Sequence, residues 1–536
     1  MREVPVLDEI RNQVLRAYGE VGGDDGLAAD ESFARSLLPP ATAGARDVRR
    51  LAASLPVLDP ERCVGCMACV SACPDAAIVA MAQPEAVLET HACNAPDGAL
   101  AGHFTRTQKY AEVPARRGLP PALFGLFIDP DTCKGCGECV EVCTDLGHRA
   151  LRLVDKDEPA RARSMAPAAD STTGPPAEPA QQTVLDAALA DVAWARTLPP
   201  TPPAYRNEKA LADLMLGEHA RGFVGGAGAC AGCGESTALR MLIAATRQVH
   251  GPDSMGIVAA TGCNSVAGST FPYNPYLVSW TNSLFENAPA VALGIRTRWE
   301  QAGLSDRRLW VVGGDGAMYD IGFQALSRLV ASDKDVKVLV LDTQVYSNTG
   351  GQASTASFGG QVTKLSAYGA SLHGRPERRK ELGRILMAHG DVYVAQTTPA
   401  HLNHFYRAVM EANTYPGPAV VVVYSACMPE HGIADDAGMR QARLAVDSRA
   451  FPLFTYDPRR GDTIAERLSL QGNPSTKADW HRTAEGAPVD FLAFARTEMR
   501  FAPHFAADGA PMPEIEATQA DRLANWRMLQ ELAGIR

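Results

Sequence analysis

Leu309-Trp310-Val311-Val312-Gly313-Gly314-Asp315-Gly316-Ala317 is an apolar run that ends in a glycine-rich acidic turn. Val336-Lys337-Val338-Leu339-Val340-Leu341 follows the same plan and ends in Asp342-Thr343-Gln344-Val345-Tyr346-Ser347-Asn348-Thr349-Gly350-Gly351. Short β-branched-rich runs bounded by turn residues mark buried parallel strands. Met255–Ala260, Val392–Gln396 and Ala419–Tyr424 share the pattern, and helix-period stretches lie between them at Ser236–Val249, Ile321–Ala331 and His401–Ala412. This alternation predicts an α/β domain over residues 204–445, with a doubly wound, mostly parallel sheet. Ligands of such sheets bind beyond the carboxyl ends of the strands. Glycines beside Asp315 allow a backbone to approach a diphosphate, and a helix starting near Asp320 would aim its N-terminus there. Asp315 and Thr343, on adjacent strand ends, offer hard oxygens to an octahedral Mg²⁺ that bridges two phosphates.

The cysteines carry a second chemistry. Cys63-x2-Cys66-x2-Cys69-x3-Cys73-Pro74 recurs as Cys133-x2-Cys136-x2-Cys139-x3-Cys143, with Thr144 in place of the proline. In bacterial ferredoxins three cysteines of such a run hold one [4Fe–4S] cluster and the fourth reaches to the other. The expected sets are therefore Cys63, Cys66, Cys69 and Cys143, and Cys133, Cys136, Cys139 and Cys73. Zinc is the competing reading, but zinc sites are usually built from separate Cys-x2-Cys pairs. Cys230-x2-Cys233, Cys263 after one strand and Cys427 after another make a further Cys₄ set. Small buried cysteines are the bland alternative for the last two. Three sets of four use all but one of the thirteen cysteines, leaving Cys93 as a bystander.

Around these motifs the chain divides into an N-terminal arm (1–55), an α+β dicluster ferredoxin-like domain (56–155) and an Ala/Pro/Ser/Thr-rich linker (156–203). The ferredoxin-like domain carries a long insertion between Asp75 and Thr132, of no evident purpose. Behind the α/β domain comes an extension (446–536) that ends in a helix near Gln519–Ala533 and shows no chemical motif. The net charge of -10 argues against nucleic acid as a partner. No apolar run is long enough to span a bilayer, and the charged start MREVPVLDEIRNQ is unlike a signal peptide. A soluble, cytoplasmic protein is expected.

A Gly-Asp-Gly turn alone is weak evidence. Followed on the next strand end by the Asn348 loop, it matches the thiamine-diphosphate signature. GDGAMYDIG (314–322), LDTQVYSNTGGQ (341–352), GACAGCGE (228–235) and ATGCNS (260–265) are similar to motifs of the pyruvate:ferredoxin oxidoreductase family. The resemblance runs from about Pro56 onward. It implies Mg²⁺ on Asp315, Thr343 and the carbonyl of Val345. It implies cofactor contacts from Glu235, Cys263, Gly314, Asp315, Gly316, Ala317, Thr343, Gln344, Val345, Tyr346, Ser347 and Asn348. Asn348 would lie near the reacting thiazolium carbon, and Glu235 with Asn348 would be the catalytic pair. The same likeness assigns Cys230, Cys233, Cys263 and Cys427 to a third [4Fe–4S] cluster beside the thiamine.

The activity implied is oxidative decarboxylation of a 2-oxoacid to an acyl-CoA, reversible in principle. Electrons would pass through three clusters to ferredoxin or flavodoxin. The aminopyrimidine side and the coenzyme A site are expected on a second subunit, in a heterodimer or a dimer of heterodimers. Two rivals remain: a non-oxidative thiamine decarboxylase would leave the cysteines idle, and a pure electron-transfer subunit would leave Asp315–Asn348 idle.

Overall fold

The computed structural model describes residues 40–160, 182–217, 222–269 and 273–536. Residues 1–39 of the arm and 161–181 of the linker lie outside them. The chain forms two compact units: Met1–Gly232 with Ser269–Leu277, and Cys233–Gly268 with Val278–Arg536.

In the first unit β1 (Ser54–Leu58) pairs antiparallel with β5 (Leu151–Asp155), Pro56 facing Leu153. The insertion between the two cysteine runs is an ordered body. It contributes β2 (Ile78–Pro84), β3 (Phe104–Arg106) and β4 (Ala122–Ile128), an antiparallel sheet in the order β2-β4-β3. Helices α1 (Ala68–Ala72) and α2 (Glu138–Asp145) carry the later cysteines of each run. The second half of the stretch read as a linker holds a helix, α3 (Val184–Ala195), closed by a Thr183/Asp186 capping box. Val192 and Trp194 of α3 pack with Val79, Met81, Phe104 and Phe127 of the insertion sheet. Alanine-rich composition suggested a spacer there; the cap and the buried tryptophan make it a packed helix.

The second unit is built on an eight-stranded sheet in the order β13-β12-β10-β11-β9-β8-β6-β7. Its strands are β6 (Met255–Ala260), β7 (Ser279–Ser283), β8 (Arg308–Gly314), β9 (Val336–Asp342), β10 (Tyr393–Thr397), β11 (Ala419–Tyr424), β12 (Phe454–Tyr456) and β13 (Leu468–Ser469). From β10 to β7 the neighbours are parallel; β12 and β13 add antiparallel. Strands β6, β8, β9, β10 and β11 are buried, as their apolar runs require, while the edge strand β7 is largely exposed. Among the unit's helices are α4 (Gly234–His250), α5 (Cys263–Ser269), α6 (Ala288–Gln301), α7 (Phe323–Val330), α8 (Leu402–Thr414) and α9 (Pro513–Leu532). The expected strands and helices appear within one or two residues at nearly every end, and β7, α6, β12 and β13 add to them.

Residues 446–536 belong to the core of this unit. Phe491, Phe494, Phe501, Ile515, Trp526 and Leu529 join the cluster formed by the sheet. Trp526 on α9 is fully buried, donates Nε1–H to the Ala478 carbonyl at 2.8 Å and lies 4.1 Å under the Arg449 guanidinium. Trp526→Ala should therefore cost about 3–5 kcal/mol. The loss should be read as a lower denaturant midpoint for the second unit, with the first unit's transition unmoved.

Candidate thiamine and iron–sulfur sites

Because β6, β7, β8, β9 and β11 run parallel, their carboxyl ends share one edge of the sheet. Cys263, Leu284, Asp315, Thr343 and Cys427 all follow those ends in sequence. The register pairs Gly314 with Leu341, which sets Asp315 beside Thr343. Thr343 Oγ1 lies 3.2 Å from Asp315 Oδ1 and 3.0 Å from the Val345 carbonyl. These are the three oxygens expected to hold Mg²⁺, gathered at one point. Ser347 Oγ stands 2.7 Å from the same hydroxyl, and Ser354 donates to the other Asp315 oxygen.

The Val345 carbonyl is aimed by strain. Gln344 sits at φ +57, a left-handed conformation uncommon for a side-chain-bearing residue. Its amide holds that turn by donating to Asp342 O at 2.6 Å and Asp342 Oδ1 at 3.0 Å. Asp342 is fully buried against Arg379 and accepts from Tyr319 Oη at 2.5 Å. His431 Nε2 lies 2.8 Å from the Thr343 carbonyl, while its Nδ1 accepts from the Cys427 amide at 3.4 Å. Burial, then Arg500, holds the imidazole well below its usual pKa, so the neutral ring donates from Nε2.

A helix begins at Asp315 itself, earlier than the Asp320 expected from sequence. Its first turn (Gly316–Ile321) is wide, with the Gly322 amide bonded to the Ala317 carbonyl at 2.7 Å. The free amides of that turn therefore belong to the signature loop. A cavity of about 280 Å³ lies there, lined by Glu235, Cys263, Gly314, Asp315, Gly316, Ala317, Thr343, Val345, Tyr346, Ser347 and Asn348. Thr261, Gly262, Phe285, Ile321 and Thr349 complete the lining and were not expected. Gln344, expected among the contacts, turns away: its side chain meets Asp342 and Arg500 instead. A cavity of about 720 Å³ in the first unit, between β1, the insertion and α3, contains none of the expected residues.

Glu235 opens α4, whose start reaches β11 closely. The Gly234 amide donates to Ala426 O at 3.1 Å, and a side chain at Gly234 would collide with the Ala426 backbone. This contact puts Cys233 near Cys427, whose thiol is pushed up to about 12 by burial and then by Cys233. Glu235 is buried, its Oε2 has no hydrogen-bond partner among the described residues, and burial with the Asp315 charge raises it to about 8. Asp315 is raised as well, by burial first and Asp342 second. Two buried acids that resist ionising, one with an unsatisfied oxygen, suit a site that receives a divalent cation and a ligand bearing donors.

The first unit gathers the ferredoxin cysteines as their spacing implies. Cys63, Cys66, Cys69 and Cys143 line one cavity, with Leu58, Phe124 and Leu151 as apolar walls. Cys133, Cys136 and Cys139 each feel the Cys73 sulfur, so that second set is also together. Left-handed turns at Gly65, Met67, Gly135 and Gly137 curl the two loops. The Ala77 and Ala150 amides donate to the Cys73 and Cys143 sulfurs at 3.3 and 3.2 Å. Burial pushes the Cys63 thiol up to about 11 and Cys136 to about 12, and raises Cys69 and Cys139 well above the usual thiol range. Among the described residues no three ligand side chains converge as one metal ion would need. The sulfurs instead line a shared space, and a cationic iron core in it would supply the charge that thiolates need. Cys93 is exposed and outside these sets.

Residues 260–423 match the family of thiamine pyrophosphate enzymes, C-terminal TPP binding domain. Residues 56–79 and 126–144 match the 4Fe-4S binding domain. The chain is 30% identical to the "Probable pyruvate-flavodoxin oxidoreductase" of Escherichia coli (strain K12), over 80% of this chain and 38% of that one. It is 29% identical to the pyruvate-flavodoxin oxidoreductase of Rhodospirillum rubrum, over 89% and 41%. With the pyruvate:ferredoxin oxidoreductase of Moorella thermoacetica it shares 28% identity, over 84% and 40%. The chain thus spans about two fifths of the length of these relatives. A solved 2-oxoglutarate:ferredoxin oxidoreductase from Magnetococcus marinus aligns with 37% of this chain at 24% identity and a TM-score of 0.32, too loosely to add weight. No helix among the described residues is long and apolar enough to cross a membrane.

The raised acids fix a pH dependence. An acid whose folded pKa is raised stabilises the fold fully below its unfolded value, about 4. That contribution fades as pH rises toward the folded value, about 8 for Glu235. Without cofactor the second unit should lose thermal stability over this window. Mg²⁺ needs Asp315 ionised, so the stability gained from Mg²⁺ with thiamine diphosphate should grow over the same window. Calorimetry at fixed ionic strength checks both; a gain that shrinks with pH would contradict the assignment.

Proposed function

We propose, for a chain that is a relative of the pyruvate-flavodoxin and pyruvate:ferredoxin oxidoreductases and carries their thiamine and iron–sulfur domains, that it is the electron-conducting half of a 2-oxoacid:ferredoxin oxidoreductase. The enzyme would convert a 2-oxoacid such as pyruvate, with coenzyme A, to an acyl-CoA and CO₂. The observation that carries this reading is the oxygen triad of Asp315, Thr343 and Val345, on the same sheet edge as the cysteines Cys263 and Cys427.

Thiamine diphosphate, when bound, supplies the carbon that attacks the 2-oxoacid and allows CO₂ to leave. The chain's own part is to hold, orient and conduct. Asp315, Thr343 Oγ1 and the Val345 carbonyl would bind Mg²⁺, and the Gly314–Ala317 backbone would accept the diphosphate. Glu235 and Asn348 line the cavity where the ring would lie, with Glu235 able to hold a proton at neutral pH. Cys233, Cys263 and Cys427, with Cys230 of the same Cys-x2-Cys pair, would take the third cluster. Electrons would leave through the set containing Cys66, which is exposed beside Val64 (45% exposed), to ferredoxin or flavodoxin. A non-oxidative decarboxylase needs none of the twelve paired-off cysteines, and an electron carrier needs no Asp315 site.

The cavity is small for a whole cofactor, and its apolar rim is open: Ile321, part of the lining, is 60% exposed. The partner reading follows. A second α/β domain, on a separate subunit, would cover this rim and hold the aminopyrimidine, and the coenzyme A site would lie with it.

Asp315→Ala should abolish binding of Mg²⁺–thiamine diphosphate and leave the ferredoxin clusters intact, read by calorimetric titration and EPR. Retained cofactor at wild-type occupancy would refute the site. The chain reconstituted alone with iron, sulfide, Mg²⁺ and cofactor should bind about twelve iron atoms, yet show no 2-oxoacid-dependent viologen reduction. Robust turnover without a partner would refute the two-subunit reading.

A further inference from the structure

We infer that Lys134 is a positioning residue that straps the segment bearing Cys230 onto the second ferredoxin cluster's loop, so that the third cluster depends on a side chain of the ferredoxin module. The inference rests on the reading of Cys230 as a third-cluster ligand.

Lys134 follows Cys133 directly, where an exposed cation would be ordinary. Instead its side chain is buried. Its ammonium donates to two backbone carbonyls and forms an ion pair with a carboxylate. Nζ lies 3.0 Å from the Ala227 carbonyl, 2.7 Å from the Ala229 carbonyl and 2.6 Å from Asp75 Oδ1. Asp75 is itself buried and comes two residues after Cys73. The two ends of the ion pair thus flank Cys73 and Cys133, which belong to the same cluster set. The two carbonyls belong to the residues leading into Cys230.

The rest of the segment is shaped for this contact. A side chain at Gly225 would collide with Thr132 and the Asp75 carbonyl, and one at Gly226 with the Ala43 carbonyl. Gly226 also takes φ +84, which favours glycine. Residues 225–229 therefore lie closely on the loop that enters the second cysteine run. An ammonium suits this place: a neutral side chain of similar length would take the cation away from the buried Asp75 carboxylate and leave two carbonyls without their donor.

The test compares the wild-type chain with Lys134→Met, both anaerobically reconstituted. Iron and sulfide content, EPR of the individual clusters and hydrogen exchange at residues 225–230 are measured. The variant should fall from about twelve irons to about eight, the two ferredoxin signals being retained, and exchange at 225–230 should rise at least tenfold. General misfolding would remove all signals together. If Lys134→Met binds no cluster at all, the double variant Asp75→Asn/Lys134→Met, which removes both charges of the pair, is read in the same way. Full iron with unchanged exchange, in whichever variant folds, overturns the inference. Should the wild type itself stop at about eight irons, the third cluster of the proposed function fails, and the exchange at 225–230 alone decides the strap.

Discussion

The parallel pairing of β8 with β9 is the constraint on which the thiamine site depends. With Gly314 opposite Leu341, the acid that follows one strand meets the hydroxyl that follows the other. A slip of one residue would turn every side chain to the opposite face and separate them. Below this junction the Asp342–Arg379 pair is buried on both sides. Removing one partner of such a pair typically costs about 3–5 kcal/mol. Asp342 also fixes Gln344 in its left-handed turn, so the direction of the Val345 carbonyl is set by an ion pair that touches no ligand.

The extension of the chain has a share in the same device. Arg500 donates to Gln344 Oε1 at 3.1 Å, Glu498 receives Arg500 at 2.5 Å and Tyr424 at 3.2 Å, and the Val362 amide bonds the Arg500 carbonyl. The loop that follows β9 is thus clamped from the far end of the sequence. Both sites share one electrostatic logic: acids or thiols are buried where ionisation is unfavourable alone, and a cationic centre restores the balance. For Asp315 and Glu235 that centre is a divalent metal with its ligand; for the cysteine sets it is iron.

Much of this was legible in the sequence because it is local. Cysteine spacing is fixed by the wrapping of a loop around a cluster, and strand-end motifs by the edge at which parallel strands finish. What escaped was non-local. Nothing near Arg500 or Glu498 announces that they bear on Gln344. Gln344 sits inside the signature, yet positive φ turns its side chain to the interior. Lys134 reads as a surface cation between cysteines until the 227–229 carbonyls appear above it. The helix α3 was hidden by alanine-rich composition, although its Thr183-x2-Asp186 box and Trp194 were signals that could have found it. The insertion's purpose became visible only as a sheet that gives α3 its packing surface.

An anaerobic crystal structure of the reconstituted chain with Mg²⁺ and thiamine diphosphate tests the central claim most directly. The account predicts a metal bound by the Asp315 carboxylate, Thr343 Oγ1 and the Val345 carbonyl, with both phosphates completing its shell and the thiazolium ring in the cavity beside Asn348 and Cys263. Diphosphate lodged elsewhere, or a metal that leaves these three oxygens bonded only to one another, would contradict it.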